Sequence, residues 1–307
     1  MKTTAVTPQD LGGSVLAVPP LARRADLTLN REANAALIRH IESGGVSTFL
    51  YGGNANFYNI GLYEYGAVLD QLAELAAPNT WMIPSVGPEF GRMMDQVALL
   101  KTRSFPTVMV LPLMFPATVA GVEVGIRRFA DAFGKPVIVY LKNEPYLTPE
   151  AVKRLVDAGV VAGIKYAIVR DEPKQDAYLT KLIDLVDRKL IVSGIGERPV
   201  ITHLRDFQLN GFTSGSVCVA PRGSAKILQA IKRKDWDEAE KLRAAYIPLE
   251  DLRDGHSPIR VLHEAVKLAG IADTGPMLPL LSNIDSDLWP AIKEAASTLL
   301  SVDKALS

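Results

Sequence analysis

The sequence predicts an α/β protein: a (β/α)8 TIM barrel followed by a helical C-terminal extension. Three observations carry this. Eight short apolar runs recur along the chain, helical stretches separate them, and the run-to-run spacing is roughly 25 to 33 residues. A doubly wound open sheet is the competing arrangement. It lacks its Gly-rich turn here, because the first run is followed by VPPLARR.

The eight runs are SVLAV (14–18), STFLYG (47–52), TWMIPSV (80–86), TVMVLPL (107–113), PVIVYLK (136–142), VAGIKYAI (161–168), KLIVSGI (189–195) and GFTSGSVCV (211–219). They are almost continuously apolar rather than alternating, the pattern of a parallel sheet covered on both faces. Between the first two, Ala33, Leu37, Ile38 and Ile41 share one helical face, and Gly44 and Gly45 supply the stop. Thr148, Pro149 and Glu150 open another helix with a capping hydroxyl, proline at the first helical position and an acid in the first turn. That helix ends at Gly159, and the sixth run begins at once. Intervals near residues 70, 97, 125, 180 and 203 repeat the pattern. Beyond about residue 225 the segments are helical only: SAKILQAIKR, DWDEAEKLRAAY, PIRVLHEAVKLAG and DLWPAIKEAASTLL. Residues 1–225 are therefore assigned to the barrel and 226–307 to a helical extension packed on it.

Composition narrows the function. The chain is 48% hydrophobic and 22% charged, with 34 basic and 34 acidic residues, so no global charge points to nucleic acid or an anionic membrane. No apolar run reaches membrane-spanning length, and the N-terminus lacks the apolar core of a signal peptide. A single cysteine, Cys218, excludes an intrachain disulfide and fits a reducing compartment, so the expected location is the cytoplasm. His40, His203, His256 and His263 form no HxxH or HExxH pair, and no metal site is expected. A GxSxG elbow is absent, and Gly215-Ser216 places its serine inside the eighth run.

One residue resists a packing explanation. Lys165 sits in VAGIKYAI, where strand alternation puts it on the same face as Gly163, and near the strand's C-terminal end. TIM-barrel active sites are built from such ends and the loops that follow. An ammonium walled by apolar side chains has a depressed pKa, and the free amine attacks ketones to give a Schiff base. The competing reading is a lysine that snorkels to solvent. Tyr140 ends the neighbouring apolar run PVIVY, and a phenol there can relay protons to such an adduct.

Gly-Ile-Lys on the sixth strand, preceded on the fifth by an apolar run ending in tyrosine, resembles the dihydrodipicolinate synthase / N-acetylneuraminate lyase family. The order of elements agrees: a GG-containing loop after strand two, Gly215-Ser216 leading to VAP, then terminal helices. The similarity runs from about residue 12 to residue 285. It implies a metal-free, cofactor-free class I Schiff-base enzyme acting on pyruvate or another 2-keto acid. Lys165 would form the imine, Tyr140 would relay protons, and the subunits would assemble as a homo-oligomer, a dimer or tetramer.

Three departures shape the substrate expectation. The family's Gly-Thr-Thr-Gly-Glu loop reads Gly53-Asn54-Ala55-Asn56-Phe57 here, which keeps backbone donors and an Asn54 amide but loses the hydroxyls. The second tyrosine usual after strand four is replaced within Leu113-Met114-Phe115. The synthases' arginine just after the strand-five tyrosine, which grips a second carboxylate, is missing from Leu141-Lys142-Asn143-Glu144. These favour a divergent member: a lyase, aldolase or dehydratase, acting on a 2-keto acid such as a 2-keto-3-deoxy sugar acid. A synthase-type condensation of pyruvate with an aldehyde, or a keto-acid-binding relative without turnover, are the alternatives. The expected substrate contacts are Gly53, Asn54, Ala55, Asn143 and Gly215, with Arg198 of the GIGERP loop on a substrate carboxylate; a phosphate site in that loop and a tight turn with a surface arginine are the alternatives there.

Overall fold

The computed structural model describes residues 1–306. Eight parallel strands close into one barrel in chain order: β1 Leu16–Ala17, β2 Thr48–Tyr51, β3 Trp81–Val86, β4 Met109–Val110, β5 Val137–Leu141, β6 Val161–Tyr166, β7 Ile191–Ser193 and β8 Gly211–Ser214. Each lies inside a run predicted from sequence, but the ladders are shorter than the runs. Prolines without a donor N–H follow β1 (Pro19, Pro20) and β4 (Pro112), and the ladder stops before them.

The eighth run departs most. β8 ends at Ser214, whose hydroxyl accepts from the Val217 N–H at 2.9 Å, and Gly215 turns into the right-handed region. Gly215 and Ser216 therefore lie beyond the strand, in a short helical turn at its C-terminal end. A serine hydroxyl that bonds the backbone three residues on competes with strand pairing.

Helix α1 (Pro8–Gly13) precedes the barrel and seals its N-terminal end. Thr7 and Asp10 form a reciprocal capping box at its start. Leu11 enters the barrel floor, where a side chain at Gly163 would meet its methyl groups at 3.0 and 3.1 Å. The barrel helices are α2 Arg31–Ser43, α3 Leu62–Leu75, α4 Phe90–Lys101, α5 Val119–Phe133, α6 Pro149–Asp157, α7 Ala177–Leu185, α8 Val200–Arg205 and α9 Pro221–Lys232. The face expected of α2 is buried, and Thr148 caps α6 by accepting from the Ala151 N–H. Helix α9 follows β8 and runs across residue 225, completing the eighth β–α unit.

Four further helices follow: α10 Trp236–Ala244, α11 Ile247–Gly255, α12 Pro258–Leu268 and α13 Trp289–Ala305. The junction of α11 and α12 crosses the C-terminal mouth of the barrel. Ile259 reaches to 3.9 Å from where a Gly53 side chain would begin. The mouth thus carries a helical cover on the side of β7, β8 and β1, and no helix of the described residues is long and apolar enough to span a membrane.

Candidate active site

A cavity of about 250 Å³ opens at the C-terminal mouth, with Lys165 and Tyr140 in its wall. Register pairs the two residues directly across β5 and β6, and the lysine Nζ lies 4.5 Å from the centre of the tyrosine ring. Lys165 is only 5% exposed. Burial, reinforced by the positive charges of Lys142 and Arg253, lowers its pKa to about 7. Burial pushes the Tyr140 phenol up to about 12, so it keeps its proton at neutral pH.

Space for the lysine is made by the loop after β7. A side chain at Gly194 would stand 2.9 Å from the Lys165 Cγ and 2.8 Å from the Ala167 Cβ. The GIGERP glycines therefore shape the wall, since Gly194, Ile195 and Gly196 all line the cavity. Arg198 does not. Its guanidinium binds Asp251 (2.6 Å) and Asp254 (2.8 Å), and of these three only Asp254 lines the cavity.

The loop after β2 contributes Gly53 and Asn54 to the wall. Residues Gly53–Ala55 form a single helical turn whose first N–H groups donate to no backbone carbonyl. The Asn54 amide donates to the Val18 carbonyl at 2.7 Å and ties this loop to the end of β1. Ala55 is buried behind the turn, away from the lining. Asn143 also stays outside, exposed next to the Met114 sulfur at 3.4 Å. Of the eight residues expected from sequence, the structure gathers Lys165, Tyr140, Gly53, Asn54 and Gly215 around one cavity and leaves Ala55, Arg198 and Asn143 beside it.

Several lining residues escaped the sequence reading, Tyr58, Lys142, Glu250 and Arg253 among them. Tyr58 stands near Tyr140 and Tyr146, and burial raises its phenol pKa. Its loop is clamped by Arg92 of α4, which donates to the carbonyls of Tyr58 (2.7 Å) and Phe57 (3.2 Å). Lys142 lies two residues beyond Tyr140 on the same face. Glu250 and Arg253 come from α11, as a buried ion pair at 2.6 Å. Their signal in the sequence is Tyr246, Leu249, Glu250 and Arg253, a helical stripe that is apolar at one end and charged at the other.

A second, more apolar cleft of about 380 Å³ lies between α4 and α5, lined by residues such as Phe90, Met93, Val122 and Ile126. Its lining has no ionisable group except the Tyr146 phenol. Among the described residues no three His, Cys, Asp or Glu side chains cluster as metal ligands. Cys218 is fully buried, and burial raises its thiol pKa.

A closed parallel barrel with a buried lysine near the end of β6 defines a TIM-barrel protein that carries an ionisable cavity at its C-terminal mouth. The chain belongs to the dihydrodipicolinate synthetase family, whose model matches residues 16–296. This is a family of enzymes that process small molecules. A probable 5-dehydro-4-deoxyglucarate dehydratase 2 from Streptomyces coelicolor is 24% identical over 301 residues, covering 95% of this chain and 90% of that protein. Among solved structures, dihydrodipicolinate synthase from Bacillus clausii superposes with a TM-score of 0.82 at 20% identity, covering 96% of this chain and 98% of that one. YagE from Escherichia coli K12, in complex with pyruvate, gives 0.76 at 21% identity over 95% and 98% of the two chains. PhdJ bound to a substrate intermediate gives 0.84 at 16% identity over 99% and 100%. At these identities the structural matches establish the fold.

Proposed function

We propose that the protein is a lysine-dependent lyase that dehydrates a 2-keto-3-deoxy sugar acid. The observation that carries this reading is the buried Lys165 amine, titrating near 7 and packed against the Tyr140 ring. In the proposed reaction the amine adds to the C2 ketone, and the carbinolamine loses water to give an iminium. The Tyr140 phenol supplies and recovers the protons of that exchange. The iminium draws electrons from C3, a C3 proton leaves, and the resulting enamine expels the C4 hydroxyl as water. Hydrolysis then returns the free lysine. Backbone N–H groups at Gly53 and Asn54 hold the C1 carboxylate. The dehydratase relative supports elimination over carbon–carbon cleavage, because its named substrate, numbered from the keto end, is itself a 2-keto-3-deoxy acid.

Borohydride reduction in the presence of pyruvate tests the reading. Mass spectrometry is expected to find the reduced adduct on the peptide containing Lys165, and Lys165→Ala is expected to abolish both adduct and turnover. Full activity in Lys165→Ala would refute it. Homo-oligomerisation belongs to the same proposal. Phe115 and Met114 expose apolar surface beside the mouth, and sedimentation is expected to find a dimer or tetramer.

A further inference from the structure

Arg253 is built into the cavity wall more firmly than charge balance alone requires. Its side chain is 8% exposed. Three contacts fix the guanidinium: Nε donates to the Pro258 carbonyl (3.3 Å), and Nη1 to Glu250 (2.6 Å) and to the Ser216 hydroxyl (3.5 Å). The remaining nitrogen, Nη2, meets no acceptor among the described residues. It lies over Gly215, where a side chain would begin only 2.5 Å from Nη2 and 2.8 Å from Cζ. Gly215 therefore exists in a form that lets the fork reach the cavity. On the other side, a side chain at Gly196 would meet Glu250 at 2.6 Å, so two glycine loops close on one ion pair.

The electrostatics leave this nitrogen available to an anion. Asp254, also in the wall, is neutralised by Arg198. Glu197 lies behind the pair, fully buried, with one oxygen bonded by Ser224 and the other unpartnered. Burial and the neighbouring Glu250 raise its pKa, which favours its neutral form. Arg253 thus meets Glu250 through only one of its two terminal nitrogens. A rigid, desolvated guanidinium with a free N–H facing a cavity is suited to a carboxylate oxygen.

We propose that Arg253 receives a second carboxylate of the substrate, remote from the reacting ketone, so that the protein takes 2-keto diacids in preference to 2-keto monoacids. This rests on the lyase reading, in which the C1 carboxylate is held at Gly53 and Asn54. It assigns to α11 the task that an arginine after strand five performs in the synthases. The other cation in the wall, Lys142, is exposed and is the rival for the task.

The test uses probes that need only imine formation. Trapping by cyanoborohydride is titrated with 2-oxoglutarate and 2-oxoadipate, and with 2-oxopentanoate and 2-oxohexanoate as the monoacids of equal length. For at least one length, the diacid is expected to half-saturate at a concentration about tenfold or more below its monoacid. In Arg253→Gln that ratio is expected to fall to within about threefold of unity, while Lys142→Ala keeps it. A wild-type ratio near one overturns the proposal. So does collapse in Lys142→Ala, or a diacid-to-monoacid ratio that survives in Arg253→Gln; a loss shared equally by both acids reflects only the missing charge beside Lys165. If Arg253→Gln fails to fold by circular dichroism, the wild-type and Lys142→Ala ratios decide by themselves. Trapping of pyruvate on wild-type Lys165 separates the two levels: its absence refutes the lyase reading, whereas its presence without diacid preference refutes only the role of Arg253.

Discussion

The depressed pKa of Lys165 makes a quantitative demand on the rate of imine formation. A lysine titrating at its ordinary 10.5 holds about one free amine in 3000 at pH 7, and one titrating near 7 holds roughly one in two. The perturbation is pH itself, between about 5.5 and 9.5, and the assay is the initial rate of pyruvate adduct trapped by cyanoborohydride and counted on the Lys165 peptide. Protonated amine is inert, so the rate is expected to rise about tenfold per pH unit below 7 and to level off above it. Tyr140, held up to about 12, keeps its proton throughout and adds no descending limb. A rate still climbing tenfold per unit at pH 9 would refute the argument, because it would mean that burial in this wall does not disfavour the ammonium. Replacing Lys142 by methionine removes one of the charges that lower the pKa, so the inflection is expected to move to higher pH.

The same desolvation has a cost in stability. The unfolded chain binds the Lys165 proton up to about 10.5 and the folded one only to about 7, so stability rises with pH across that window. Lys165→Met is expected to stabilise the fold by roughly 4 kcal/mol at pH 7 and by little near pH 11, measured by urea unfolding at several pH values. Glu197 has the opposite sign. Its raised folded-state pKa means that stability is lost as pH climbs above the ordinary glutamate range, and Glu197→Gln should flatten that slope in the same experiment. Tyr140→Phe is expected to lower kcat by about 10²- to 10⁴-fold with little change in the circular dichroism spectrum. Gly215→Ala forces the Arg253 guanidinium off its seat, and is expected to cost about 1–3 kcal/mol in unfolding free energy while raising KM for diacids.

The reacting pair was legible in the sequence because its signal is local. Lys165 interrupts an apolar strand, and alternation along six residues fixes its face. Tyr140 ends the run paired with it. The α11 contribution was not legible in the same way, because nothing near Arg253 in the chain says that the loops after β7 and β8 carry glycines, Gly196 and Gly215, that leave room for the Glu250–Arg253 pair. Those contacts are made by folding, between residues far apart in sequence. Arg198 misled for the matching reason. It lies in a loop that lines the cavity through its glycines, yet Asp251 and Asp254, which bind its guanidinium, belong to the extension. Strand lengths at β1 and β4 were overestimated where apolar character continued past prolines that cannot donate to a ladder.

The glycine at 215 ties two distant positions into one heritable unit. A lineage that gains a side chain there loses the seat of the arginine, and a lineage that shortens the arginine no longer needs the glycine. Among descendants of this barrel, the residue after β8 and the residue on α11 are therefore expected to change together. That couplet would mark, from sequence alone, which relatives retain a place for a second acid group and which have turned to uncharged partners.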